Sequence, residues 1–144
     1  MSVAFTSFPG LPTSVAAARR FVAASLRACP EVTVSDEVID RAELITSELA
    51  TNAIRHTRSG DPGQTFTVHV QTDRRGIRGE IRSGRPRLLY SVPHVVEAKP
   101  TAESGRGLFL VEQLATTWGT LAPWEDGVYF ALQWPTGQHG TEGE

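Results

Sequence analysis

Hydrophobic and polar residues follow two different periods along this chain, and each period predicts a different kind of element. Apolar residues recur at every third or fourth position after residue 13 and again from about 36 to 57, which predicts two amphipathic helices. Strict alternation over shorter runs predicts strands at 3–8, 65–72, 77–83, 117–121 and 128–134. Helices that bury one stripe against a sheet that buries one face form an α/β sandwich, which is therefore the predicted fold class.

The longer predicted helix carries three polar residues on one side, four positions apart: Glu48, Asn52 and His56. They run beside the apolar stripe, where side chains can line a pocket. A carboxylate can accept a proton or orient a hydroxyl group, and an amide oxygen is a suitable ligand for Mg²⁺. The alternative, an amphipathic helix with a solvated polar edge, remains open because such spacings are common.

A second segment, residues 103–119 (ESGRGLFLVEQLATTWG), predicts a site for an anion. Gly105 and Gly107 bracket Arg106, and a helix-like run starts at Leu108. Glycines that open a helix let its free N–H groups approach a ligand, and the helix dipole favours negative charge. A simple loop-to-helix turn explains the same letters, so phosphate binding is one of two interpretations.

Taken together, the two segments resemble a known family. The pattern E-L-x-x-N-A-x-x-H (48–56) is similar to the N-box of the GHKL ATPases, and G-R-G-L-x-L-V-x-x-L-A-x-x-W-G (105–119) is similar to their second glycine box. The resemblance covers about residues 5–134 and is closest to the single-domain anti-sigma factor serine kinases of actinomycetes. It implies a two-layer sandwich with a mixed, mostly antiparallel sheet and helices on one face.

The resemblance also implies roles for individual residues. Glu48 would be the general base or would position the attacking hydroxyl, and Asn52 would hold Mg²⁺ between the phosphates of ATP. The end of a lid at about residues 84–107 would wrap the phosphates with four consecutive residues: Gly105, Arg106, Gly107 and Leu108. His56 closes the N-box and is expected nearer the middle of the apolar stripe, as a hydrogen-bonded packing residue or as a ligand contact.

The part of the site that recognises the base departs from the family pattern at two positions. Ser83 stands where an aspartate is expected to accept the adenine amino group, and Gly127 stands where a threonine is common. Loss of a charged partner could weaken nucleotide binding by about 1.5–3 kcal/mol. A second interpretation follows, in which the chain is a degenerate GHKL module that regulates a partner with weak or no ATP binding.

Composition limits the remaining alternatives. A chain of 144 residues predicts one domain, here residues 1–135, followed by a polar, glycine-rich tail at 136–144 that is expected to be flexible. A net charge of −2 gives no general attraction to nucleic acid, and the lone Cys29 allows no internal disulfide. With no apolar run of about 20 residues and no signal-peptide pattern, a cytoplasmic location is expected and a membrane is not.

The expected function follows from the resemblance. The chain would use Mg-ATP to phosphorylate a serine of a STAS-type anti-sigma antagonist and would otherwise sequester a sigma factor. Pairing of two copies is common in such kinases, so a homodimer is an open alternative. Arginines cluster around the hairpin predicted at 65–83, either as a docking surface for an acidic partner or as a solvated edge: Arg74, Arg75, Arg78, Arg82, Arg85 and Arg87.

Overall fold

The computed structural model describes residues 1–86 and 110–134 of the chain. Two helices and five strands are formed there, in the order β1 (Ser2–Pro9), α1 (Ser14–Arg27), α2 (Asp36–His56), β2 (Thr65–Thr72), β3 (Gly76–Arg82), β4 (Thr117–Thr120) and β5 (Gly127–Gln133). A short 3-10 turn, Arg58–Gly60, follows α2, and residues 110–114 are helical. Each predicted strand is present, and no bound differs from the prediction by more than one residue.

The five strands form one sheet in the order β1-β2-β3-β5-β4. Every pairing among these strands is antiparallel, and each strand pairs with one or two neighbours in continuous register. Apolar residues of α1 and α2 pack with those of the strands in one core cluster. The predicted α/β sandwich with helices on one sheet face is therefore confirmed, with a sheet that is antiparallel throughout the described strands.

Helix α2 begins and ends where its sequence predicts. Ser35 is the N-cap residue, and its hydroxyl accepts a hydrogen bond from the backbone N–H of Val38 at 3.3 Å. Acidic residues occupy the first turn and Arg55 and His56 the last turn, so both ends complement the helix dipole. The chain turns extended at Thr57, which ends the helix.

The core lies between the helices and the inner face of the sheet. Its largest fully buried side chains come from both layers: Phe66, Phe130, Leu26, Ile39, Ile45 and Ile81. Since α2 crosses this core along most of its length, its buried face has a fixed direction, and residues at the margins of that face have fixed positions.

Two of the predicted boundaries lie outside the described residues. Most of the predicted lid, residues 87–107, and the tail at 136–144 belong to the parts of the chain that are not described. The division into one domain and a tail therefore stays a prediction. Within residues 1–86 and 110–134, no helix is both long enough and apolar enough to cross a bilayer.

Candidate functional site

Helix α2 carries Glu48 and Asn52 along the margin of its buried face. Both side chains are half-buried, whereas Ile45 and Leu49, beside them on the helix, are 0% and 2% exposed. One margin of the helix therefore presents a carboxylate and an amide one turn apart, partly shielded from water. This is the arrangement that the spacing predicts.

His56 occupies a different environment from the one predicted. The expectation that it packs near the middle of the apolar stripe is wrong, because its side chain is exposed. Ala53 is the last buried residue of α2, so the helix extends one turn beyond the core and His56 lies at its exposed end. The exposed side chain contradicts the packing alternative, and the alternative of a ligand contact stays a prediction.

Ser83 directly follows β3 and is half-buried. Its backbone N–H donates to the carbonyl oxygen of Asp126 at 3.1 Å, and its hydroxyl donates to the carbonyl oxygen of Gly84 at 3.1 Å. The hydroxyl is thus engaged within its own loop. Because this bond uses only the proton of the hydroxyl, both lone pairs of its oxygen can still accept a hydrogen bond from a ligand.

The loop that begins with Ser83 rests against the end of α2. The backbone N–H of Gly84 donates to the hydroxyl of Ser59 at 2.8 Å, and the N–H of Arg58 donates to the carbonyl of Arg85 at 2.8 Å. An isolated β-bridge joins Thr57 to Pro86. The segment 83–86, where the base-recognition part of the site is expected from the resemblance, therefore lies next to the end of α2.

Gly127 is a glycine for a structural reason. Its φ is +145°, and a Cβ atom added there would lie 2.4 Å from the carbonyl oxygen of Ile81. A threonine at this position would collide with the neighbouring strand and strain the backbone. Gly127 pairs with Arg82 in the sheet, so it lies beside Ser83, and the two departures from the family pattern share one place in the fold.

The four residues predicted at the lid end, Gly105, Arg106, Gly107 and Leu108, lie outside the described residues. Their meeting with Glu48 and Asn52 stays a prediction.

Ser59 was missed by sequence reasoning altogether. No sequence motif or periodicity marks a buried serine in a short turn after a helix. Its role becomes visible only through its contact with a residue that is distant in the chain.

Among the described residues, the arginines of the β2–β3 hairpin do not form one continuous basic surface, and Arg87 lies outside these residues. Arg74 and Arg75 lie at the β2–β3 turn, whereas Arg82 and Arg85 lie at the other end of β3. On the outer sheet face, Glu80 forms ion pairs with Arg78 at 3.1 Å and with Arg82 at 2.9 Å. These contacts favour the interpretation of a solvated, internally neutralised edge.

Glu80 makes the stability of this face depend on pH. Burial alone would raise its pKa, but the hydrogen bonds and charges of Arg82 and Arg78 outweigh burial, so the pKa lies below its ordinary value of 4.5. Its contribution is complete above the unfolded-state pKa and is lost as the pH falls through the lower folded-state pKa. We expect Glu80→Gln to cost about 1 kcal/mol of unfolding free energy at pH 7.

Urea unfolding of Glu80→Gln and of the wild type between pH 7 and pH 3 would test this dependence. The difference in unfolding free energy between the two proteins should shrink as the pH falls below 4.5. Glu37→Gln is the control, because Glu37 is exposed and pairs with Arg41 on the helix surface. We expect this substitution to lower the unfolding free energy by less than about 0.5 kcal/mol. A difference for Glu80→Gln that stays constant over this range would contradict the assignment.

Comparison with known proteins identifies the family. No curated protein matches the chain closely enough to count as a relative. The family model of the histidine kinase-like ATPase domain matches residues 8–120, which span the last two residues of β1, both helices α1 and α2, and strands β2, β3 and β4. Since the match covers most of the chain and agrees with its α/β architecture, the chain belongs to the histidine kinase-like ATPase domain family, within the GHKL superfamily.

Proposed function

We propose that this chain is an ATP-binding regulatory protein of the anti-sigma factor type, acting as a serine protein kinase. The observation that carries the proposal is the placement of Glu48 and Asn52 on one margin of α2, with the 83–86 loop hydrogen-bonded to the 3-10 turn that directly follows that helix. Membership of the ATPase family supports nucleotide binding. The kinase activity and its partners rest on the resemblance of the N-box and second glycine box.

The described residues fit a Mg-nucleotide better than a metal bound by protein alone. Across residues 1–86 and 110–134, no three His, Cys, Asp or Glu side chains come together as a metal site. Mg²⁺ in nucleotide sites commonly takes only one or two protein ligands, and phosphates and water supply the others. The amide oxygen of Asn52, half-buried beside the carboxylate of Glu48, suits such a role.

In the proposed reaction, Glu48 accepts the proton of a serine hydroxyl on the protein substrate, or orients that hydroxyl. The serine oxygen forms a bond to the γ-phosphorus as the bond to the β-γ bridging oxygen breaks, and ADP leaves. Mg²⁺, when bound, neutralises charge on the phosphates. Positioning and charge stabilisation supply most of the catalysis in such transfers, so few side chains are needed. His56, exposed at the end of α2, would border the nucleotide.

A nucleotide titration with Asn52→Ala tests the proposal. At a Mg-ATP or Mg-ADP concentration about 100 times Kd, the wild type should gain about 5–10 °C in melting temperature. Asn52→Ala should lose most of this gain, because the amide oxygen that would hold Mg²⁺ is removed. Thermal shift and calorimetry, each with Mg²⁺ and with EDTA, measure the effect.

The control is Arg41→Ala, a change on the exposed surface of the same helix. It should keep the full stabilisation by nucleotide. Equal stabilisation of Asn52→Ala and the wild type would remove Asn52 from the proposed site. Partner specificity is tested separately, by transfer of labelled phosphate from ATP to a STAS-domain protein and by co-purification with a sigma factor.

One observation favours the second candidate function, a degenerate module that binds a partner without using ATP. Ser83 replaces the expected aspartate, and its neutral hydroxyl, which donates to the carbonyl of Gly84, is a weaker acceptor for an amino group than a carboxylate. This candidate expects no stabilisation of the wild type by millimolar Mg-ATP or Mg-ADP, together with retained binding of a protein partner. The titration described for Asn52 therefore separates the two candidates.

A further inference from the structure

We propose that Ser59 is a positioning residue that sets the specificity of the nucleotide site for the base. The inference rests on the proposed function, because it assigns to Ser59 the task of holding the base-recognition loop in place. Ser59 is 1% exposed, in the 3-10 turn Arg58–Gly60. Its hydroxyl oxygen accepts a hydrogen bond from the backbone N–H of Gly84 at 2.8 Å.

This hydrogen bond is the first of three that connect the loop to α2. The backbone N–H of Ser59 donates to the hydroxyl oxygen of Thr57 at 3.0 Å, and that hydroxyl donates to the carbonyl oxygen of Ala53 at 2.5 Å. Ala53 directly follows Asn52 in the helix. The three bonds therefore run from the loop that begins at Ser83 to the helical turn that carries the proposed magnesium ligand. We call this set of bonds the Ser59 clamp.

The opposite side of the turn is closed by the end of β1. A Cβ atom added to Gly10 would lie 1.6 Å from the carbonyl oxygen of Ser59, so the two backbones are in direct contact. The N–H of Gly10 donates to the carbonyl of Gln64 at 2.9 Å, which ties β1 to the residues after the turn. Because β1 blocks movement on this side, the hydroxyl of Ser59 is held facing Gly84.

Ser59 is too deeply buried to touch a nucleotide, so its effect must pass through the position of Gly84 and Ser83. Without the hydroxyl, the N–H of Gly84 loses its partner. The loop is then held next to α2 by the contacts of Arg85 and Pro86, and the position of Gly84 and Ser83 is less well fixed. The base would then be recognised less well. Contacts to the phosphates from Asn52 and from the second glycine box would remain. A purely structural serine would weaken both parts of the site equally.

The test compares Ser59→Ala with the wild type in calorimetric titrations with Mg-ATP and with Mg-tripolyphosphate, a ligand that has no base. We expect the affinity for Mg-ATP to fall by about tenfold and the affinity for tripolyphosphate to change by less than about twofold. An amide hydrogen-exchange measurement should show faster exchange at Gly84 in the variant, because its donor is no longer bonded.

Two further variants keep the test decisive. Thr57→Val retains the size of the side chain and removes both bonds of the Thr57 hydroxyl, those to Ser59 and to Ala53. It should therefore act in the same direction as Ser59→Ala, and the two effects should not add. If Ser59→Ala does not fold, Thr57→Val provides the test in its place. Val22 lies on the buried face of α1, so Val22→Ala should lower the melting temperature without changing the ratio of the affinities for Mg-ATP and tripolyphosphate.

The outcomes separate the clamp from the proposed function. If Ser59→Ala lost affinity equally for Mg-ATP and tripolyphosphate, or lost none for Mg-ATP, the proposed role of the Ser59 clamp would be overturned and nucleotide binding would stay established. Wild-type protein that binds tripolyphosphate as tightly as Mg-ATP would overturn it too, because no base recognition would exist to be positioned. Wild-type protein that binds neither ligand would reject the proposed function itself.

Discussion

Glu48→Gln should slow phosphoryl transfer by about 100- to 10,000-fold, because glutamine cannot accept the proton of the attacking serine hydroxyl. The affinity for Mg-ATP should change by less than about threefold, since the substitution keeps the size and polarity of the side chain and acts on the chemical step alone. Single-turnover transfer of labelled phosphate from ATP to the substrate serine of a STAS-domain protein measures the rate, and calorimetry measures the affinity.

The control is Glu43→Gln, the same chemical change five residues earlier on α2. Five residues turn the helix by well over a quarter of a circle, so Glu43 faces away from Glu48 and Asn52. Its rate should equal that of the wild type. A rate loss shared by the two variants would point to a general effect of charge on α2, and an unaltered rate in Glu48→Gln would remove the general base from the mechanism.

Gly10→Ala should destabilise the fold by about 3 kcal/mol, because the added methyl group would have to occupy the position of a backbone carbonyl. Its Cβ would lie 1.6 Å from the carbonyl oxygen and 2.6 Å from the carbonyl carbon of Ser59, and neither atom belongs to a side chain that could rotate away. The end of β1 and the turn after α2 must separate. We expect a melting temperature lower by about 10 °C.

Gly63→Ala is the matched control for this prediction. Gly63 has a φ of +78° and no atom within 4 Å of an added Cβ, so alanine there meets strain in the backbone and no collision. The expected cost is about 1 kcal/mol. Denaturant unfolding should therefore rank Gly10→Ala as clearly the less stable variant. Similar costs for the two variants would mean that β1 and the Ser59 turn are not in tight contact.

Local sequence patterns predicted the elements because their causes are local. The cap at Ser35 lies next to the helix that it starts, and the alternating residues of β2 bury one face wherever the strand is placed. Glu48 and Asn52 follow the same logic, since a helix with a known buried stripe fixes which residues lie at its margin. His56 was misjudged because periodicity does not reveal where a core ends along a helix.

The contacts around Ser59 could not be predicted in this way. Gly10 and Ser59 are far apart in the chain, and so are Ser59 and Gly84, so neither contact leaves a pattern within one segment. The structural role of Gly127 was not predicted, for a related reason. Read along the chain, it is a lost binding residue, whereas in the sheet it is a residue that must lack a side chain beside Ile81.

By itself, the sequence determined the α/β class, the extents of α2 and the strands, and the side of α2 on which Glu48 and Asn52 lie, because these depend on helix and strand periods and on caps within a few residues. Only the tertiary structure decided that the Ser83 loop is bound to the end of α2 through Ser59, with Gly10 against its back. Hydrogen bonds and close backbone contacts between distant segments form only when the sheet and helices pack, and that packing determines which polar groups meet.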